Sequence, residues 1–167
     1  MLYVFKTWYL PKFPGAPKLI FVFIKTTNMK SAKTISVLSK GFVLLSGFCL
    51  LSVSIMAFNN PQAVMDLVSV KLPNNDAYSS IRGVYGGVGL TLFICLLYTM
   101  RKNIFESLGL LAILWGLYAT SRIITHLKEG ALGDFGKQWL GIEGLFFLLA
   151  LGLYLLNKKN GRRETER

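Results

Sequence analysis

Three ionisable residues stand out because they lie inside or at the edges of long apolar stretches: Arg82, Arg122 and Glu143. A charge at the middle of a membrane span is costly, roughly 2.5–3.5 kcal/mol on translocon insertion scales. An arginine at similar depth compensates a carboxylate, because a guanidinium donates two parallel hydrogen bonds to it. These residues therefore predict charge pairing and polar recognition. No nucleophile–base pair accompanies them, so the sequence predicts no catalytic residues.

Tyrosine and histidine side chains occur at helical spacing from the two arginines. Tyr85 is three residues after Arg82, while Tyr118 and His126 are four residues before and after Arg122. Residues three or four apart share a helix face. The predicted polar cluster comprises Arg82, Tyr85, Tyr118, Arg122, His126 and Glu143. Two interpretations stay open. Either the cluster binds something, or its role is structural, in which case the arginines reach the headgroups or the Arg–Glu pairs only fix helix register.

Metal and cofactor chemistry has little basis in the sequence. His126 is the only histidine, so a multi-histidine metal or haem site within one chain is excluded. Cys49 and Cys95 lie within apolar stretches, where cysteine behaves mostly as a small apolar residue. We therefore expect no metal site and predict no cofactor.

Glycines cluster just after Arg82. The run contains Gly83, Gly86 and Gly87, and another glycine, Gly144, follows Glu143. Small residues at such spacing allow transmembrane helices to approach each other closely. A phosphate-binding loop is rejected because the run has no accompanying lysine and lies at the end of an apolar stretch. We predict that these glycines pack helices.

The elements that must position these residues follow from the charge-free stretches. Residues 41–65, 83–100, 107–121 and 144–157 contain no Asp, Glu, Lys or Arg. A span needs roughly 20 apolar residues, since a helix rises about 1.5 Å per residue. The sequence predicts an all-α, polytopic membrane protein, an antiparallel bundle of four transmembrane helices at about 39–58, 81–100, 104–124 and 140–157.

Composition and charge agree with this class of protein. Apolar residues make up 53% of the 167 and charged residues 16%, which excludes disorder, and two cysteines are too few for a disulfide scaffold. The net charge of +11 is concentrated before span one, between spans two and three, and after span four. This distribution predicts cytoplasmic termini and two outward loops, so the cluster lies in the outer half of the bilayer. It also argues against nucleic-acid binding.

The chain ends and loops differ from the spans. Residues 1–28 are interrupted by prolines and lysines, and Met29 opens a conventional start. We expect 1–28 to be an extension upstream of the true start, or else an interfacial anchor. The membrane domain is then 29–157 and the basic cytoplasmic tail 158–167. In the loop 59–80, Asn60 and Pro61 predict a short surface helix. The loop 125–139 is expected to be a flexible turn.

The order of these features resembles a known family. The chain resembles the bacterial domain-of-unknown-function family 4345 in the order of four features. These are an Asn-Pro loop after span one, the run with Arg82, Tyr85, Gly86 and Gly87, a late arginine in span three, and an early glutamate in span four. The plan is more distantly similar to DoxX-like four-helix membrane proteins. The resemblance covers roughly 35–157. It implies four helices and an inner-membrane location, and the DoxX similarity implies quinone-linked redox roles.

Three functions are compatible with these observations. The first is a non-enzymatic membrane protein whose cluster binds a small molecule, a lipid or a partner helix. The second is an accessory subunit of a quinone-linked redox system, with a quinone as the cofactor. The third is a small transporter that acts as an oligomer. The expected partners are the lipid bilayer and either another membrane protein or further copies of the chain.

Overall fold

The computed structural model describes the backbone of residues 18–165 and the side chains of residues 32–158. Residues 1–17, which form most of the predicted extension, lie outside this range, and the start at Met29 stays a prediction. The described chain is helical, without strands. Its α-helices are α1 (Lys18–Asn59), α2 (Pro61–Asp66), α3 (Asn75–Ile81), α4 (Val88–Lys102), α5 (Ile104–Glu129) and α6 (Asp134–Thr165). A π-helical segment, Arg82–Gly87, joins α3 to α4.

Four helical stretches are long and apolar enough to cross a membrane, as the sequence predicted. They are Ala32–Asn59, Asn75–Lys102, Ile104–Glu129 and Asp134–Lys158. The second stretch begins earlier than predicted, because α3, the π-helical segment and α4 follow one another without a break. The third and fourth also extend further, so residues 130–133 alone separate α5 from α6.

The connection between α1 and α3 contains the predicted short helix. The Asn60 side chain accepts a hydrogen bond from the Ala63 amide, and Pro61 occupies the first turn of α2. Gln62 then fixes the following loop, because its side chain donates to the Val70 carbonyl and accepts from the Leu72 amide. Asn74 caps α3 in the same manner as Asn60 caps α2. We call this end of the bundle the α2 end.

The bundle consists of two helix pairs. α1 packs mainly on α4 and the π-helical segment, whereas α5 packs mainly on α6. The pairs meet in one apolar core: Phe42, Val43, Leu96, Leu108, Leu111, Trp115 and Ala150. Polar side chains also join neighbouring elements, since Thr99 and Ser107 hydroxyls lie 2.7 Å apart and the Asn157 amide donates to the Ser39 hydroxyl at 2.8 Å.

The predicted packing glycines behave differently from one another. A Cβ on Gly86 would lie 3.1 Å from the Phe58 ring, so this glycine does allow a close approach to α1. Gly83, Gly87 and Gly144 have no neighbour within 4 Å of that position in the described chain. The described residues therefore leave the space beside these three glycines open, and the packing role of the three stays a prediction. Gly89 was not among the predicted packing glycines, yet a Cβ at this position would lie 3.2 Å from Ser54.

Candidate functional site

An ion pair between the partly buried Arg122 and the buried Glu143 joins α5 to α6. Arg122 Nε donates to Glu143 Oε2 at 2.6 Å, and Arg122 Nη2 donates to Glu143 Oε1 at 2.8 Å. Glu143 is 3% exposed, so its carboxylate is almost wholly removed from solvent. The bidentate geometry matches both oxygens at once, which makes this a strong type of charge-assisted hydrogen bonding. The pair is electrically neutral as a unit.

Beside this ion pair lies a cavity of about 390 Å³. It is located at the α2 end, between the pair α1–α4 and the pair α5–α6, and residues of α2 also line it. Most of its lining is apolar, including Val53, Val64 and Leu92. Four members of the predicted polar cluster line it together: Tyr85, Tyr118, Arg122 and Glu143.

The other two members of the predicted cluster lie elsewhere. Arg82 Nε donates to the Phe58 carbonyl at 3.2 Å, near the end of α1. Carbonyl groups in the last turn of a helix lack intrahelical partners and carry partial negative charge, so a guanidinium is favourable there. Arg82 thus has a different partner from the carboxylate that the sequence suggested. His126 is exposed near the end of α5 and does not line the cavity.

The π-helical segment contributes Tyr85 to the cavity. Within Arg82–Gly87 the backbone departs from the α-helical hydrogen-bond pattern, and the Ser54 hydroxyl of α1 donates to the Gly86 carbonyl at 2.6 Å. This bond fixes the segment against α1. Short π-helical turns within α-helices occur frequently at functional sites. The sequence analysis identified the residues of this run but not its π-helical conformation.

Aromatic side chains complete the polar end of the cavity. The Arg122 guanidinium lies 5.8 Å from the centre of the Phe135 ring, within the range of a cation–π contact. Trp139 packs against Phe135 with 5.9 Å between ring centres. Neither Phe135 nor Trp139 belongs to the polar cluster that the sequence predicted. Nothing in the sequence separated these apolar residues from ordinary packing residues.

Trp115 lies in the cavity wall but is not among the cluster residues that the sequence predicted. It is 4% exposed and lines the cavity, and its buried Nε1–H donates to no group in the described part of the chain. A buried donor without a partner costs about 1–3 kcal/mol. By residue type alone, Trp115 does not differ from a packing residue. A signal was available, because Trp115, Tyr118 and Arg122 recur at intervals of three and four and therefore share one face of α5.

Metal binding has no evident place among the described residues. Across residues 32–158, no group of three or more His, Cys, Asp and Glu side chains could hold an ion together. Glu143 and Arg122 are the two charged residues that line the cavity, and each is occupied by the other. The arrangement suits an uncharged molecule that is mainly apolar and makes a few hydrogen bonds.

Fold and site together define a small helical bundle, with four helices long enough to span a membrane and a cavity beside a buried ion pair. The chain belongs to the family described as "Domain of unknown function (DUF4345)", whose profile matches residues 38–154. The match includes the second and third long helices, most of the first and fourth, and every residue that lines the cavity. No curated protein and no solved structure matches the chain.

Proposed function

We propose that this chain is a non-enzymatic integral membrane protein that binds a small, mainly apolar molecule in the cavity between its helix pairs. The observation that carries the proposal is the cavity of about 390 Å³ with the Arg122–Glu143 pair in its wall. Ligand sites typically measure about 300–1,000 Å³ and combine an apolar lining with a few polar groups that orient the ligand. This cavity has both properties.

The size of the cavity favours a small molecule or part of a lipid over a partner helix. A helix with its side chains is about 10–12 Å wide and needs a groove along several turns. The cavity is instead a local space, because the core that contains Leu96, Leu108 and Leu111 closes the bundle beyond it. The roles beside a quinone-linked redox enzyme or as a transporter depend on resemblance and size alone, and they stay predictions.

The charge distribution supports an orientation for this site. Basic residues predominate at the end opposite the α2 end, so the cavity would face the outer leaflet of a bacterial inner membrane, with both termini cytoplasmic.

Cysteine labelling in spheroplasts tests this orientation. An impermeant maleimide should label Lys71→Cys in intact spheroplasts, and it should label Lys158→Cys only after the membrane has been permeabilised. The unsubstituted protein, with Cys49 and Cys95 inside the long helices, gives the background. The reverse labelling pattern would overturn this orientation.

Filling the cavity should abolish binding while the bundle survives. Val53 on α1 lines the cavity, and Val53→Phe places a ring in the space that a ligand would occupy. Val37 lies on the same helix, is 62% exposed and does not line the cavity, so Val37→Phe is the matched control. The probe is benzophenone, a small diaryl ketone that inserts into nearby C–H bonds on illumination.

In lipid nanodiscs, we expect saturable benzophenone labelling of cavity-lining peptides in the unsubstituted protein and in Val37→Phe. Labelling in Val53→Phe should fall roughly fivefold or more, because a ligand that shares the site with the added ring would be overpacked at a cost on the order of 1–3 kcal/mol. Circular dichroism checks that the helical content of all three proteins is equal. Equal saturable labelling of Val53→Phe, or labelling that never saturates in any of them, would contradict the proposal.

A further inference from the structure

We infer that the cavity accepts the apolar chain of a membrane lipid, which enters laterally from the bilayer through an opening between the π-helical segment and α5. This inference rests on the proposed function, because it names the ligand class and the entry route of the same cavity. Three features of the cavity support it: a side that no helix covers, an end that α2 covers, and the direction of its polarity.

The opening lies where the two helix pairs diverge. The π-helical segment packs on α1, α3 and α4, and within residues 32–158 it has no extensive contact with α5 or α6. The connection between α4 and α5 lies at the opposite end of the bundle, at Asn103. Side chains that line the cavity on the two sides of this gap are therefore exposed: Val84, Tyr85 and Val88 on one side and Tyr118 on the other.

The opening faces the hydrocarbon region when the four long helices span a membrane. Val88 lies about 20 Å from Arg101 along α4, and Tyr118 lies about 21 Å from the first residue of α5. The hydrocarbon core is about 30 Å thick, so both sides of the opening are at a depth that lipid chains occupy. Because apolar molecules leave water for such a region, the bilayer is the reservoir from which this opening is filled.

The end of the cavity nearest the membrane surface is covered by α2. Val64 and Met65 of this helix are buried, line the cavity and form one apolar cluster with Ala57 of α1. The Asn60 cap and the hydrogen bonds of the Gln62 side chain hold the helix and the loop that follows it. Entry from the aqueous side would displace this packed helix, whereas entry through the lateral opening displaces lipid alone.

The polarity of the cavity runs in the same direction as that of a lipid leaflet. Arg122 and Glu143 line its part at the α2 end, whereas Leu50 and the Trp115 ring line the part next to the apolar core. Along α5, Arg122 and Trp115 are separated by about 10 Å. A lipid chain that points toward the core would leave the polar part of the lipid at the α2 end, as in the surrounding leaflet.

A photoreactive lipid tests the ligand class. The probe is a phosphatidylcholine with a benzophenone on one acyl chain, incorporated at increasing mole fraction into nanodiscs that hold the full-length protein. Lipid-facing residues give labelling that rises in proportion to the probe, and we expect additional, saturable labelling of cavity-lining peptides. Val53→Phe should lower the saturable part roughly fivefold or more, and Val37→Phe should leave it unchanged.

Two exposed residues of α4 test the route. Val88 borders the opening and is 53% exposed, whereas Ile94 is 57% exposed and does not line the cavity. Val88→Trp should lower the saturable labelling roughly fivefold or more, because the larger side chain obstructs the opening, and Ile94→Trp should leave it unchanged. If circular dichroism shows that Val88→Trp does not fold, Val84→Trp at the same opening takes its place.

The outcomes distinguish this inference from the proposed function. Saturable labelling by free benzophenone, with only proportional labelling by the lipid probe, would overturn the lipid ligand and leave the proposed function standing. Equal saturable labelling of Val88→Trp and Ile94→Trp by the lipid probe would overturn the lateral route. Absence of saturable labelling by both probes in every protein would instead overturn the proposed function itself.

Discussion

Replacing Glu143 with alanine is expected to lower the free energy of unfolding by about 3–5 kcal/mol. The carboxylate is 3% exposed, and its removal leaves the Arg122 guanidinium, whose side chain is 24% exposed, without its partner. The loss arises mainly from that uncompensated charge, so it should be much larger than the loss of an ordinary hydrogen bond. Thermal or denaturant unfolding of the purified protein in detergent, followed by circular dichroism, measures it.

The chain provides a matched control for this prediction. Asp134 and Lys137 form an exposed pair at 4.0 Å near the beginning of α6, and Asp134→Asn should leave stability unchanged within error. The double substitution Arg122→Leu/Glu143→Leu should recover much of the loss, since apolar residues often replace a buried ion pair without penalty. If Glu143→Ala behaves like Asp134→Asn, the ion pair does not join α5 to α6 in the folded protein.

The second large effect concerns the core that closes the bundle beyond the cavity. Leu111 on α5 is fully buried, and Leu111→Ala should cost about 2–5 kcal/mol because it leaves a void among packed side chains. Leu117 lies on the same helix but is 64% exposed, so Leu117→Ala should change stability by about 0.5 kcal/mol or less.

Unfolding midpoints of these two variants test how the helix pairs meet. A large difference between them means that the buried face of α5 holds the pairs together, as the packing of Leu96, Leu108 and Leu111 indicates. Equal losses would mean that the two faces of α5 are equally buried in the protein as it exists in detergent. That result would point to association through the exposed face and would contradict the arrangement of the core.

The sequence predicted the helices well because their signals are local. Long stretches without charge defined the four spans, and the pairing of Asn60 with Pro61 defined α2. Ends were less accurate, since Lys128 and Glu129 were assumed to lie in a loop but continue α5. A charged residue at the end of a helix pays no desolvation cost when its side chain reaches water or the headgroups. The helix can therefore continue through it, and charge alone does not mark a helix end.

The site was predicted in part, because depth in a membrane can be estimated from sequence but direction around a helix axis cannot. The sequence predicted similar depths for Arg82, Arg122 and Glu143. In the structure the Arg82 side chain bonds to a carbonyl at the end of α1. Among the described residues, Arg122 alone bonds to Glu143. The cavity itself was not predictable. Its walls are residues such as Val53 and Trp115, whose types are the same as those of packing residues.

The central claim is that the cavity beside Arg122 and Glu143 holds a molecule, and native mass spectrometry of the protein extracted gently from its own membrane tests it most directly. We predict that the unsubstituted protein and Val37→Phe carry an additional non-protein mass, and that Val53→Phe has lost it. Unsubstituted protein that carries no additional mass, or an additional mass that persists in Val53→Phe, would contradict the claim.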